Sequence, residues 1–113
     1  MFPRLRSLNL SQNSLKDIPS YMLPPSLVTL DVCNNLLADL PVHLVAIPGL
    51  WNLFVNGNKL TSLPAWVEEL QALRRFSFAG NPIPVSFEQK QLAANVQMSI
   101  NLRELARQGA LFI

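Results

Sequence analysis

Few residues in this chain could do chemistry beyond recognition. Cys33 is the only cysteine and His43 the only histidine among 113 residues. A nucleophilic thiol needs a neighbouring base or positive charge, and a zinc site needs several Cys, His or carboxylate ligands at close spacing. No such set accompanies His43, and the four glycines form no phosphate-cradling loop. Glu68 and Glu69 read as a solvated face. The expectation is therefore no catalytic residue, no metal and no cofactor, because catalysis needs titratable groups converging in a pocket. What remains is Trp51, Phe54, Arg74 and Arg75. Aromatic side chains and arginine are the commonest energetic anchors of interfaces.

Those residues need a scaffold, and composition bounds it. At 50% hydrophobic residues the chain can build the core of one small domain and not two. Nine Lys/Arg against seven Asp/Glu leave a net charge of +2, too weak to single out a partner and less than a dedicated nucleic-acid binder carries. A lone cysteine forms no internal disulfide, which favours a reducing compartment. The expected location is intracellular, in the cytoplasm first. The acid-free stretch before Asp17 makes an organelle the alternative, because its Arg and Ser residues resemble a presequence. Asn9-Leu10-Ser11 matches a glycosylation acceptor, but it falls in an expected strand, where a glycan is awkward. No stretch approaches the ~20 apolar residues that span a bilayer.

The organising feature is an internal repeat. Leu5, Leu8, Leu10, Asn13, Leu15, Ile18 and Pro19 recur as Leu27, Leu30, Val32, Asn35, Leu37, Leu40 and Pro41. They recur again as Leu50, Leu53, Val55, Asn58, Leu60, Leu63 and Pro64, then in shortened form as Leu73, Phe76, Phe78, Asn81, Ile83 and Pro84. The asparagines are spaced by 22, 23 and 23 residues. Apolar alternation with period two before each asparagine reads as a short strand. The prolines suit turns into short helical segments such as Ala65–Leu70. An Asn amide both donates and accepts, so a column of Asn13, Asn35, Asn58 and Asn81 can satisfy the backbone groups left at each turn.

This pattern resembles the leucine-rich-repeat family, over residues 5–84, with Leu44, Ile47, Val67 and Leu70 fitting the second half of the unit. It looks most like the intracellular type with units of about 23 residues. The shorter first unit, with Leu23-Pro24-Pro25, is similar to the more compact bacterial subtype. The resemblance implies an α/β right-handed solenoid, a short arc of about four coils (5–26, 27–49, 50–72 and 73–84). Its parallel sheet lines the concave side, and residues 85–113 follow as a capping helix and apolar tail. Each coil buries its face only against its neighbours.

The ends carry their own expectations. Residues from Val85 to Gln108 lack Pro and Gly and read as helix, with Ser86 and Gln89 at capping-box spacing. Leu92, Val96 and Ile100 are placed to cover the last coil. Met98, Leu102 and Leu105 form a second stripe. Gly109 stops the helix before Leu111-Phe112-Ile113, and stripe and tail offer an alternative docking surface. At the other end, Leu5, Leu8 and Leu10 have little before them, so their edge is expected to be covered by another subunit or by further repeats.

In the family pattern the variable strand positions face the concave side. They are Ser7, Asn9 and Ser11; Thr29, Asp31 and Cys33; Asn52, Phe54 and Asn56; and Arg75, Ser77 and Ala79, with Arg6, Val28, Trp51 and Arg74 at the sheet border. The resemblance implies a protein-interaction module or scaffold, part of a larger protein or assembly. It would bind a partner with an apolar anchor and an acidic patch through Phe54, Trp51, Arg75, Arg74, Asp31, Asn52, Asn56 and Thr29. Two alternatives stand beside it. One is a structural ribonucleoprotein subunit touching RNA through Arg6, Lys59, Arg74, Arg75 and the aromatics. The other is the substrate-recruiting part of a ubiquitin ligase or kinase.

Overall fold

The computed structural model describes residues 4–84 and 86–107. Its repeating element is a three-residue strand: β1 (Ser7–Asn9), β2 (Thr29–Asp31), β3 (Asn52–Phe54) and β4 (Arg75–Ser77). The strands pair in parallel in the order β1-β2-β3-β4. Register follows the repeat: Leu8 opposes Leu30, Leu30 opposes Leu53, and Leu53 opposes Phe76. The backbone rail extends past the strands, with Leu10 N–H donating to Asp31 O, Val32 N–H to Phe54 O and Val55 N–H to Ser77 O, all at 2.8–2.9 Å. The chain is an α/β leucine-rich solenoid of four coils closed by a C-terminal helix.

After each of the first three strands the chain crosses to the convex side and runs through a 3₁₀ turn: Ser20–Met22, Val42–Ala46 and Ala65–Glu69. Pro19, Pro41 and Pro64 sit immediately before these turns, with φ of −66°, −69° and −70°. Proline's ring presets that angle, and the missing N–H leaves no unpaired donor at a helix start.

The core runs between the two sides. Leu27, Leu30, Val32 and Leu37 of the second coil are buried, as are Leu50, Leu53, Val55 and Leu60 of the third. Each stabilises the fold by roughly 1.5–3 kcal/mol. Leu5, Leu8, Leu10 and Leu15 occupy the same positions in the first coil but are only half-buried. Among the described residues, one side of this coil has no further coil against it. Phe76 and Phe78 in the last coil are also half-buried, with ring centroids 5.2 Å apart.

The turn after each strand is closed by an asparagine. Asn58 Nδ2 donates to Val55 O of its own coil at 2.9 Å and to Val32 O of the preceding one at 3.0 Å. Its Oδ1 accepts the Leu37 N–H at 3.1 Å. Asn35 repeats this set with Val32 O, Leu10 O and Leu15 N–H. Asn81 repeats it with Phe78 O, Val55 O and Leu60 N–H. Asn13 is exposed and reaches only Leu10 O and Ser11 O, both in its own coil.

The sequence pattern did not show that the residue before each asparagine is left-handed. Gln12, Asn34, Gly57 and Gly80 have φ of 59°, 59°, 70° and 76°. That conformation turns the chain sharply enough to bring the amide under the strand. At Gly57 a Cβ would also overlap Asn34 Oδ1 of the preceding coil, so this glycine serves both the dihedral angle and the stacking.

The C-terminal helix α1 runs from Phe87 to Arg107. Val96 and Ile100 are buried and Leu92 half-buried against the last coil. The capping-box expectation needs correction. Ser86 Oγ accepts the Gln89 N–H at 3.2 Å, but the Gln89 side chain does not return to Ser86. Its Oε1 accepts the Leu63 N–H at 2.8 Å and its Nε2 reaches Leu63 O at 3.5 Å, which pins the helix to the third coil. Glu68, expected to be merely solvated, accepts a hydrogen bond from Asn95 Nδ2 at 3.0 Å and ties the convex side to α1. Arg103 Nη1 donates to Leu73 O at 2.6 Å. In the second stripe Met98 and Leu102 are exposed. The Leu105 side chain, Val85, the Gly109 stop and Leu111, Phe112 and Ile113 lie outside what is described, as do Met1–Pro3.

Two stability predictions follow from this geometry. Asn58→Ala leaves the Leu37 N–H unpaired in the core and takes one of two donors from each of the Val32 and Val55 carbonyls, which keep Asn35 and Asn81; it should cost about 2–3 kcal/mol, whereas exposed Asn13→Ala should cost less than about 1 kcal/mol. Urea unfolding of the two variants measures the difference. Gly57→Ala should lose about 1–2 kcal/mol from the left-handed φ alone, with a lowered midpoint in the same titration.

Candidate concave interface

The concave face is set by strand alternation. Leu8, Leu30, Leu53 and Phe76 turn inward, so their neighbours Ser7, Asn9, Thr29, Asp31, Asn52, Phe54, Arg75 and Ser77 line the outer surface of the sheet. Parallel register stacks them in columns across the coils. One column is Ser7, Thr29, Asn52 and Arg75; the next is Asn9, Asp31, Phe54 and Ser77.

Much of this surface is internally hydrogen-bonded. Asn52 Nδ2 donates to Thr29 Oγ1 at 2.9 Å. Asn56 Oδ1 accepts from the Ser77 hydroxyl and, at 3.7 Å, from the Cys33 thiol. Asp31 Oδ1 accepts the Cys33 N–H at 3.0 Å, and Asn9 Oδ1 accepts the Ser11 N–H at the same distance. The second pair repeats the first one coil earlier. Apart from Arg75, the polar side chains that β2, β3 and β4 carry on this face are thus tied within the chain before any partner arrives. Phe54 is half-buried within them, between Asp31 and Ser77.

At the sheet border the Arg74 guanidinium carbon lies 3.7 Å from the centroid of the Trp51 ring. The sequence placed these residues one coil apart; the structure makes them a stacked cation–π pair. Trp51 remains 39% exposed, while Arg74 is half-buried and its Nε is buried without a hydrogen-bond partner among the described residues. Arg74 is therefore not the freely solvated side chain that its type suggests. Arg75 is exposed. Beside this pair a groove of about 370 Å³ opens, bounded by Trp51, Asn52, Arg74 and Arg75 on the coils and by Gln97, Ile100, Asn101 and Glu104 on α1. The helix contribution was not legible in the sequence, because Gln97 and Asn101 fit any solvated helix face.

The chemistry-capable residues stay apart. His43 is exposed in the convex turn Val42–Ala46, far along the coil from Cys33 on the concave side. Burial, first, and the neighbouring Asp31, second, push the Cys33 thiol above its ordinary value of 9.0. That disfavours the thiolate, the form a nucleophile needs. Among the described residues no group of three His, Cys, Asp or Glu side chains is placed to hold a metal ion. Among the same residues no helix is long and apolar enough to cross a membrane.

Comparison with known proteins agrees with this architecture. The family model for the Leucine Rich Repeat matches residues 4–24. Human Toll-like receptor 1 is 40% identical over 60 residues, covering 53% of this chain and 8% of the receptor. Leucine-rich repeat serine/threonine-protein kinase 1 of Caenorhabditis elegans is 39% identical over 69 residues, covering 58% and 3%. A solved leucine-rich-repeat protein of Leptospira interrogans superimposes with a TM-score of 0.75 at 32% identity, over 86% of this chain and 24% of that one. The chain thus spans less than a tenth of these curated relatives and about a quarter of that structure.

The raised thiol gives a direct test. Because the folded chain favours the protonated form, alkylation of Cys33 by iodoacetamide at pH 8 should be slower in the folded chain than in urea. The gap should narrow as pH rises through and above 9.0. Equal rates at pH 8 would show an unperturbed thiol.

Proposed function

We propose that this chain, a member of the leucine-rich-repeat family, is a protein-interaction module that holds a protein partner against its concave face. The observation that supports the reading is Phe54, one half-buried aromatic at the centre of a sheet surface whose polar side chains are already tied across the strands. A surface ordered in advance loses little entropy on binding. Affinity can then rest on a few anchors, with aromatics and arginine foremost. Phe54 is the apolar anchor, Trp51 and Arg75 border it, and Thr29, Asp31, Asn52 and Asn56 supply fixed polar complementarity.

The half-buried leucines of the first coil belong to the same reading. A parallel sheet edge presents unpaired N–H and C=O groups, and we assign the β1 edge to a further repeat or a second subunit. The module works without catalysis. The match to the worm kinase spans 3% of that protein, and its kinase activity stays with it. Contact with RNA has less support, since one face of the Trp51 ring is taken by Arg74 and stacking of bases needs open aromatic faces.

Affinity capture compares the wild-type chain with Phe54→Arg and with the convex variant His43→Ala. The expected result is a protein partner retained by wild type and His43→Ala and lost by Phe54→Arg, with binding weakened by at least about tenfold, or ~1.4 kcal/mol. Recovery of every partner by Phe54→Arg would remove the concave assignment.

A further inference from the structure

The groove between the sheet border and α1 differs in kind from the sheet surface beside it. It is about 370 Å³ in volume and carries two guanidinium groups, from Arg74 and Arg75, against the one carboxylate of Glu104. Glu104 has interactions of its own within the chain, so the local field is set by the arginines.

Its hydrogen-bonding groups are arranged as donors. Gln97 Nε2 donates to Asn101 Oδ1 at 2.9 Å, which occupies the Asn101 acceptor and leaves its amide N–H₂ group without a partner among the described residues. The side chain of the exposed Arg75 likewise has no ion-pair or hydrogen-bond partner among them. The Arg74 guanidinium is held over the Trp51 ring, so its charge is fixed in place while the rest of the indole gives the groove an apolar wall. Buried Ile100 forms part of the floor. Planar guanidinium forks match carboxylates with two parallel bonds. An excess of one positive charge suits a single carboxylate better than the repeated phosphates of a nucleic acid, whose affinity grows with each neutralised charge.

We propose that this groove takes a glutamate or aspartate side chain from an acidic segment of the partner. Arg75 pairs with the carboxylate, Asn101 donates a second hydrogen bond, and Trp51 packs against the aliphatic part. This inference rests on the protein-interaction reading above and extends the contact surface from the strands onto the C-terminal helix. Gln97 is a positioning residue, since it acts by orienting the Asn101 amide.

The test uses the whole chain carrying Trp66→Phe, which leaves Trp51 as the only indole. Its fluorescence is followed during titration with a blocked hexapeptide containing two glutamates, with the same peptide bearing glutamines, with inorganic phosphate and with oligouridylate. The expected result is a saturable change for the glutamate peptide, weakened about tenfold by the glutamine replacement and further by added salt. Arg75→Gln, and Gln97→Glu, which adds a negative charge, should each weaken it similarly while far-UV dichroism stays unchanged. Equal response to the two peptides, or no saturable response, would overturn the proposal. So would tighter binding of phosphate or oligouridylate, which would make the groove a phosphate site. The two readings separate cleanly. Partner capture lost by Phe54→Arg with no peptide response here leaves the concave interface and removes the groove. A peptide response here with capture indifferent to Phe54 does the reverse.

Discussion

The asparagine amide inside each turn is the constraint on which this molecule depends. A coil that leaves a strand and bends toward the convex side must bury carbonyls that no strand partner can reach. Asn35, Asn58 and Asn81 meet that need identically, each donating to its own coil and the one before, and accepting an N–H from the earlier coil. One residue type does this because the amide alone among uncharged side chains both donates twice and accepts. The left-handed residue before each asparagine is the backbone counterpart of the same requirement.

Since each of these asparagines bonds to the coil before its own, the ends of the arc are where the scheme runs out. Asn13 bonds only within its own coil, and the leucines above it are half-buried. At the other end a different device replaces the repeat. Helix α1 contributes Leu92, Val96 and Ile100 as apolar cover, and it is held by polar fastenings at Leu63, Glu68 and Leu73. Those fastenings set the angle of the helix, and the angle is what opens the groove next to Trp51.

The surface has two characters for the same reason. Across β2 to β4 the parallel register sets polar side chains of successive coils near one another, and Thr29 with Asn52, and Asn56 with Cys33 and Ser77, satisfy each other. At the border, where the pattern places long side chains instead, Arg74 lies down on Trp51 and Arg75 remains extended into solvent. A face that is hydrogen-bonded internally offers shape and a lone aromatic. A border rich in unpaired donors offers charge recognition.

Read alone, the sequence determined the coil count, the strand positions, the asparagine column and the inward leucines. Each of these recurs every 22 or 23 residues, and a contact between equivalent positions in adjacent coils is implied by the spacing itself. It also nominated Phe54, Trp51, Arg74 and Arg75 by type. Tertiary structure decided what the repeat does not encode: the second half of the Ser86–Gln89 box going to Leu63, Glu68 meeting Asn95, Arg74 stacking rather than projecting, and Gln97 and Asn101 facing the coils' border. Those contacts join a unique helix to a repeating body. No periodicity relates the two, so only the packed angle between them fixes which side chains meet.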